Sequence, residues 1–283
     1  MPEIADGNTL RSSEFKQLTR APKTWVIVGL ITLLAAAIGA ALAPILALAG
    51  AAVALLLSLG VCFWIADHRA ANAFFQSYAE ARGLTWHKGG AALDGTSRFL
   101  RKGDKQEVNQ LFTGPLGEGI EGSLALYTYT EESTDSDGHR QDTDYPFTVV
   151  TARMPETAAH LSDLRLQPKS GLKMLEKFED SFRRKHERVT LESEAMRDRY
   201  EIFVLKEQDP VWVRRLFSPS FIVWLVETPP AKFGCELEDG YFVAYVPKHH
   251  ENAAKLDEIL ATATRIAHRI REEVAETTPA ADR

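Results

Sequence analysis

Cysteine is scarce in this sequence, with two residues among 283. Cys62 lies inside a long apolar run and Cys235 stands alone, so neither a disulfide framework nor a CxxC zinc site can be built from them. A single thiol outside the apolar run agrees with a reducing compartment. Apolar residues make up 45% of the chain and charged residues 25%, a composition that excludes disordered and collagen-like classes.

Charge is absent from Thr24 to Ala66. As one helix this run would be about 64 Å long, roughly twice the 30 Å hydrocarbon core of a bilayer. Pro44 cannot donate its amide and disfavours helix in the residue before it. We therefore predict a transmembrane helical hairpin over 24–66, with helices at 24–43 and 46–66. A cleaved signal peptide is the alternative, but its apolar region spans only about 7–15 residues.

The two ends of this run are predicted to lie at the same membrane face. Trp25 and Trp64 flank it, and indole rings favour the headgroup layer. Basic residues also flank it, whereas the turn carries no charge: Arg11, Lys16, Arg20, Lys23 and Arg69. The positive-inside rule then predicts a cell-membrane protein with two spans and both termini cytoplasmic, residues 1–23 being a cytoplasmic segment. Ala35, Gly39 and Ala43 would allow close helix packing, within the hairpin or with a second copy in a homo-oligomer.

The remainder of the chain, 67–283, is acidic, with 29 basic and 36 acidic side chains. Nucleic-acid affinity comes mainly from clustered Lys and Arg, so we expect no nucleic-acid partner. The apolar spacing after Asp67 predicts that the second helix continues to Gly83. Short runs rich in β-branched and aromatic residues then predict a small antiparallel sheet, with the polar loop 131–144 as a projecting hairpin tip. These runs are LTWH, EVNQLF, SLALYTYT and YPFTVVTARM.

A second half is predicted from Pro155 onward. It contains a helix over Leu172–Lys185, strands at RVTLE and RYEIFVLK, and a helix opened by Asp209-Pro210. Asp239-Gly240 predicts a type I′ hairpin. An amphipathic helix from Leu256 to Val274 closes a cytoplasmic domain over 67–276, and 277–283 is predicted to be a disordered tail. Because the strands come as hairpins, the predicted fold class is α+β.

The order of these features resembles an uncharacterised group of bacterial membrane proteins known only as a domain of unknown function. The resemblance covers roughly Phe74 to Ile270, and it rests chiefly on Leu191-Glu192-Ser193, Arg199-Tyr200-Glu201-Ile202, Leu216-Phe217-Ser218-Pro219 and Phe221. It implies a membrane-anchored domain, but supplies no reaction, ligand or catalytic residue. We interpret Glu192, Tyr200, Ser218 and Pro219 as structural, with Glu192 paired to Arg197 or Arg199 and Ser218 capping a helix.

Three patterns suggest chemistry and are read as structural. Residues 117–122 match GxGxxG, but a strand follows where a dinucleotide site needs a helix. Loop 131–144 approaches calcium-loop spacing through Ser133, Asp135, Asp137, Gly138, Gln141 and Asp144; strands flank it, so a solvated hairpin is favoured and weak divalent binding is the alternative. His249-His250-Glu251 lacks the spacing of HExxH and is expected to open a solvated helix; the histidines at 87, 139, 160, 186 and 268 are scattered.

Two further groups of residues bear on function. Arg183, Arg184, Lys185 and Arg188 form a basic patch, explained by a helix C-terminus or by contact with anionic headgroups. Ser123, Ser193 and Ser218 lack a nucleophile elbow. The sequence therefore assigns no catalytic, cofactor-binding or metal-binding residue. It favours a membrane-anchored interaction or regulatory domain whose partners are the lipid bilayer and an unidentified protein. The alternatives are a membrane-associated enzyme and a lipid-binding or transport-accessory module.

Overall fold

A computed structural model describes residues 22–40, 44–90, 93, 97–134, 138–169 and 185–277. The predicted helix over Leu172–Lys185 falls almost wholly outside these residues, as do Asp135, Asp137, Ala43 and most of both termini. The chain divides into two compact units, Met1–Arg82 with Glu251–Ala253, and Gly83–His250 with Ala254–Arg283. We describe them separately and refer to the second as the sheet unit.

The described residues of the first unit form two helices, α1 (Pro22–Ala40) and α2 (Pro44–Arg82), which contact each other. Proline suits the first helical position of each because its missing amide hydrogen is not needed there. Helix α2 continues beyond the predicted span and ends at Gly83, whose φ is +67°, which confirms the predicted continuation. Among the described residues one helix, Ala52–Arg82, is long and apolar enough to cross a membrane, and a shorter apolar helix covers Trp25–Leu34.

The sheet unit is built on one nine-stranded antiparallel sheet, in the order β1-β2-β3-β4-β9-β8-β5-β7-β6. Its strands are β1 (Thr85–Lys88), β2 (Lys105–Gly117), β3 (Ile120–Thr134), β4 (Arg140–Arg153), β5 (Asp163–Pro168), β6 (His186–Val189), β7 (Tyr200–Leu205), β8 (Gly234–Glu238) and β9 (Tyr241–Pro247). The α+β class is confirmed. The expectation of a small first sheet was wrong, because β9 pairs with β4 and joins the strands of both halves.

The described part of this unit also contains the α-helices α3 (Glu194–Arg199), α4 (Pro210–Leu216), α5 (Pro219–Glu227) and α6 (Ala253–Thr277). Helix α6 is the predicted amphipathic helix, and its buried face includes Leu256, Ile259, Ile266 and Ile270. The helix opened by Asp209-Pro210 is α4. Helix α3 lies between the segments RVTLE and RYEIFVLK.

The hairpin at Asp239-Gly240 is confirmed. Asp239 has φ of 49° and Gly240 of 77°, and β8 pairs with β9 on either side. Both central residues of a type I′ turn need positive φ, which glycine adopts without steric cost. A side chain at Gly240 would also meet the backbone of Met154 and Pro155 at about 3 Å, so this turn fits closely against the end of β4.

The predicted loop 131–144 is mostly strand, and that prediction was wrong. Strands β3 and β4 pair continuously from Glu131 opposite Thr143 to Thr134 opposite Arg140. Cross-strand contacts between polar side chains support this extension, since Thr130 donates to Asp144 at 2.7 Å and Lys105 lies 2.7 Å from Glu132. The polar composition that suggested a loop belongs to a two-stranded ribbon with exposed side chains.

Both faces of the sheet are buried. On one face the connection between β1 and β2 covers an aromatic cluster centred on Phe99, which stacks on Tyr245 with ring centroids 4.1 Å apart. Phe99 also meets Phe147 edge-on at 4.9 Å. On the other face Leu124, Leu126 and Val150 are buried. The alternation of these residues along β3 and β4 is the period of two expected when a strand packs on both sides.

Candidate functional site

The candidate site lies where helices α3, α4 and α5 meet the chain that follows β6. Helix α3 begins at Ser193, whose Oγ accepts a hydrogen bond from the Met196 amide at 3.2 Å. Helix α4 begins at Asp209, whose carboxylate accepts from the Val211 amide at 2.8 Å. Proline follows the cap position in α4 and α5, where it favours helix initiation. These signals fix three short helices within one stretch of about 35 residues.

Arg199 holds helix α5 against α3. Its guanidinium donates to the backbone carbonyls of Val226 and Pro229. Carbonyls at a helix C-terminus lack intrahelical partners, and a cation there also offsets the helix dipole. The arginine that the family resemblance singled out is therefore a brace for α5, and this brace positions the wall of the site.

Beside these helices lies an open groove of about 470 Å³. Its apolar lining comprises Leu191, Phe217, Pro219, Ile222 and Val223. Polar side chains at its walls include Glu192, Ser193 and Arg214. An apolar cleft of this size with a few polar groups is typical of ligand sites in proteins.

The outer side of α4 and α5 exposes two large apolar side chains among polar ones. Among the described residues from Gly83 to Thr277, the exposed large apolar side chains are Val211 at 58% and Val223 at 54%. Arg265 of α6 lies over the ring of half-buried Trp224, 5.2 Å from its centroid. We call the set formed by Val211, Arg214, Ile222, Val223, Trp224 and Arg265 the α4–α5 surface.

Part of the stretch that carried the resemblance converges on this groove, but not in the predicted roles. Glu192 is exposed and, among the described residues, forms no ion pair with Arg197 or Arg199. Ser218 occupies the N-cap position of α5 without a side-chain capping bond, and its Oγ lies 3.4 Å from that of Ser220. Both predicted interactions were wrong. The side chain of Tyr200 is buried as expected, and burial raises the pKa of its phenol.

The GxGxxG segment is the tight turn between β2 and β3. Glu118 and Gly119 have φ of 52° and 67°, and strands pair on both sides. Ser123 faces Thr151 with hydroxyl oxygens 2.6 Å apart. Ser133 and Gln141 lie on paired strands, and Asp144 accepts from Thr130. No group of three or more His, Cys, Asp or Glu side chains that could hold a metal ion occurs in the described part of the chain.

His249 and His250 precede α6 rather than opening it, since the helix begins at Ala253. His249 Nε2 lies 3.1 Å from Thr128 Oγ1, and the His250 amide donates to Thr148 Oγ1 at 3.0 Å. Burial lowers the pKa of His250. These contacts fasten the β9–α6 connection to β3 and β4, so the expectation of a solvated helix start was wrong.

The remaining histidines and the basic patch are dispersed. His186 pairs with Asp163 at 2.7 Å inside the sheet unit, and His268 lies 3.5 Å from Glu272 on α6. His87 lies on edge strand β1, while His139 and His160 lie in connections. Arg188 pairs with Glu201 on the neighbouring strand at 3.1 Å, and Arg183 and Arg184 fall outside the described residues. None of those that the structure describes lines the groove.

Sequence reasoning missed a buried charge network at the centre of the sheet. Arg165 on β5 lies opposite Glu236 on β8, and its guanidinium donates to the Glu236 carboxylate, Nε lying 2.9 Å from Oε1. Ser97 Oγ and the Phe99 amide donate to Oε2 of the same carboxylate. Burial lowers the pKa of Arg165, but attraction by Glu236 outweighs it and leaves that pKa raised.

Lys102 belongs to the same network. It is 2% exposed, and burial together with Arg165 lowers its pKa to about 8. At one end of the network Glu238 accepts from the Arg98 amide, and burial raises the pKa of that carboxyl. Because the oxygens of Glu236 are saturated by donors from the fold itself, the network ties the 97–102 connection to the sheet. The signal that could have found it is the alternation of Leu164, Arg165 and Leu166, a strand pattern with a charge at a core position.

Comparison with known proteins gives limited information. No protein-family model matches the chain, and no curated protein matches it. A solved structure, that of the mycobacterial trehalose monomycolate transport factor A, aligns with a TM-score of 0.45 at 13% sequence identity. The alignment covers 72% of this chain and 96% of that chain. A likeness at this level does not transfer a function.

Proposed function

We propose that this protein is a membrane-anchored binding module, which presents the groove and the α4–α5 surface to a partner at the inner face of the membrane. The observation that carries the proposal is the open groove, bordered by the exposed side chain of Val223. A single exposed valine is ordinary at a protein surface. An open groove with an apolar lining and a few polar groups is, however, typical of a binding site.

The membrane anchor in this proposal is a two-span hairpin with both termini cytoplasmic. The contact between α1 and α2 supports it, as do the apolar side chains that these helices expose, among them Leu33, Leu56 and Trp64. Only 11% of the most apolar stretch of Ala52–Arg82 is buried, whereas the core helix of a soluble protein would be mostly covered. Reporters fused before Arg11 and after Arg283 should both read cytoplasmic, and a periplasmic signal at either end would refute the hairpin.

Proximity labelling in the native cell tests the binding module. We expect the full chain carrying a labelling enzyme at its C-terminus to mark a reproducible set of neighbours. Val223→Asp should remove the partner from this set, because a carboxylate at an apolar contact must be desolvated on binding. The matched control is Thr143→Asp, which adds the same charge at an exposed site on β4. If both variants keep the full set of neighbours, the α4–α5 surface is not a binding site for a protein.

The groove gives no support to the alternative of a membrane-associated enzyme. Its titratable side chains are Glu192 and Arg214, and among the described residues neither forms an ion pair that would position it for acid-base chemistry. The lipid-binding alternative does have an observation in its favour, which is the volume and apolar lining of the groove.

A further inference from the structure

We infer that the α4–α5 surface docks on the anionic surface of the bilayer that anchors the chain. This inference rests on the proposed function, because it names the partner of that surface. It joins three independent features of the described residues: exposed apolar side chains, arginines without carboxylate partners beside them, and a helix able to cross a membrane in the same chain.

The apolar part has the character of an interfacial contact. Val223 and Val211 are more than half exposed, and half-buried Ile222 and Trp224 flank Val223 on α5. Segments that lie in the membrane interface combine such an apolar face with cationic side chains, and tryptophan favours the headgroup level. Helix α5 carries one charged residue, Glu227, at its C-terminal end. Its outer face could therefore enter the interface without burying a charge.

The charged part suits anionic headgroups. Among the described residues, Arg214 and Arg265 have no ion pair, although Arg265 lies over Trp224. Neighbouring arginines differ: Arg215 pairs with Glu273 at 2.8 Å and Glu276 at 3.4 Å, and Arg269 pairs with Glu273 at 2.9 Å. The groove also contains an acidic side chain, Glu192. The positive charge of the α4–α5 surface therefore comes from Arg214 and Arg265. Two arginines without ion pairs beside apolar side chains suit a local contact with anionic headgroups, although the chain as a whole is acidic.

The membrane anchor favours the bilayer over a protein as the partner of the α4–α5 surface. A tethered surface meets the membrane at high effective concentration, so a weak contact of a few side chains is enough to hold it. A protein partner in free solution would require a larger interface for the same occupancy. One docked surface would fix the orientation of the sheet unit at the membrane and bring the mouth of the groove to the lipid.

The test uses photo-crosslinking of the full chain. A benzophenone amino acid replaces Val223, and in a second protein it replaces Glu107, an exposed residue on β2 in the other half of the sheet. Each protein is reconstituted into vesicles of phosphatidylcholine, with or without phosphatidylglycerol, containing a tagged tracer of each lipid. We expect lipid adducts at position 223 in several-fold excess over position 107, and more of them when phosphatidylglycerol is present.

Arginine variants test the charge contribution. Arg214→Gln or Arg265→Gln should each lower the docked-to-undocked ratio about fivefold, since one cation near an anionic surface contributes about that factor. Raised salt should have the same effect. Equal lipid adducts at positions 223 and 107, or a yield at 223 indifferent to phosphatidylglycerol, would overturn the bilayer inference.

The same derivatives irradiated in native membranes separate this inference from the proposed function. Lipid adducts at position 223 support both. Protein adducts at 223 without lipid adducts overturn the bilayer inference but leave the chain a binding module. If position 223 yields neither, both proposals fail.

Discussion

The interior of the sheet contains buried charged side chains, whereas the outer side of α4 and α5 exposes apolar ones. This is the reverse of the usual arrangement of core and surface. At the centre of the sheet Arg165, Glu236 and Lys102 are buried, whereas Val211 and Val223 are exposed on the helices. The difference lies in the partners. Donors and acceptors from the fold surround the buried charges, while the exposed valines lack a cover within the described residues. Folding thus explains the buried charges, whereas we propose binding as the reason for the exposed apolar side chains.

The largest expected effect is on the buried pair. Arg165→Met should lower the free energy of unfolding by about 3–5 kcal/mol, because it leaves the Glu236 carboxylate buried without its cation. Chemical denaturation of the full chain in detergent, followed by circular dichroism, measures this. The double variant Arg165→Met with Glu236→Leu should recover part of the loss. A single variant as stable as the parent would mean that the pair does not hold the 97–102 connection.

The next effect concerns Lys102 and is pH-dependent. The pKa of Lys102 is lowered from 10.5 to about 8, so between these pH values the unfolded chain binds more protons and stability rises with pH. Below pH 8 the lysine is charged in both states, and the burial cost is fully present. Lys102→Met should therefore gain about 1–3 kcal/mol relative to the parent at pH 7. The advantage should shrink as pH rises through 8 toward 10.5. Thermal unfolding of both proteins across this range checks the trend, and an advantage that grows with pH would contradict it.

A smaller effect separates two serines at helix starts. Ser193→Ala should lower the free energy of unfolding by about 0.5–2 kcal/mol, since it removes the hydroxyl that accepts a hydrogen bond from the Met196 amide. Ser218→Ala should change stability by less than about 0.5 kcal/mol, because Ser218 makes no capping bond to α5. Each variant is the control for the other in parallel unfolding experiments. Equal losses would show that Ser218 does cap α5 in solution.

Local sequence signals predicted much of the fold. Asp239-Gly240 specified its hairpin, Asp209-Pro210 started α4, and the spacing from Leu256 to Val274 specified α6, because each of these depends on neighbours in sequence. Long-range pairing was not predictable. Strand β9 completes a sheet with β4, about 90 residues earlier, and β5 was missed because Arg165 is charged at a core position. Its partner Glu236 is 71 residues away, and no local pattern links them.

The groove was also only partly predictable. The resemblance drew attention to Glu192 and Ser218, but the pairing role given to Glu192 and the capping role given to Ser218 depend on three-dimensional geometry. The exposure of Val223 could not be predicted from the sequence, because an apolar residue on a short helix normally faces the core. Exposure depends on what the rest of the chain leaves uncovered.

The smallest effect on stability is expected at the α4–α5 surface itself. Val223→Asp should change the free energy of unfolding by no more than about 0.5 kcal/mol, since the side chain is 54% exposed. A melting curve beside that of Thr143→Asp checks this. A loss above about 2 kcal/mol would mean that Val223 is part of the core in solution.

The most direct test of the contrast is photo-crosslinking of the partner, whether lipid or protein, from a benzophenone amino acid at position 222 in the Arg165→Met and Val223→Asp chains, with the adducts normalised to the abundance of folded, membrane-inserted protein. Our account predicts that Val223→Asp loses its labelled partner at normal abundance. Arg165→Met should be less abundant but retain parental labelling per folded molecule. The opposite pattern, with labelling per molecule lost in Arg165→Met and kept in Val223→Asp, would place the functional site in the buried network and contradict the account.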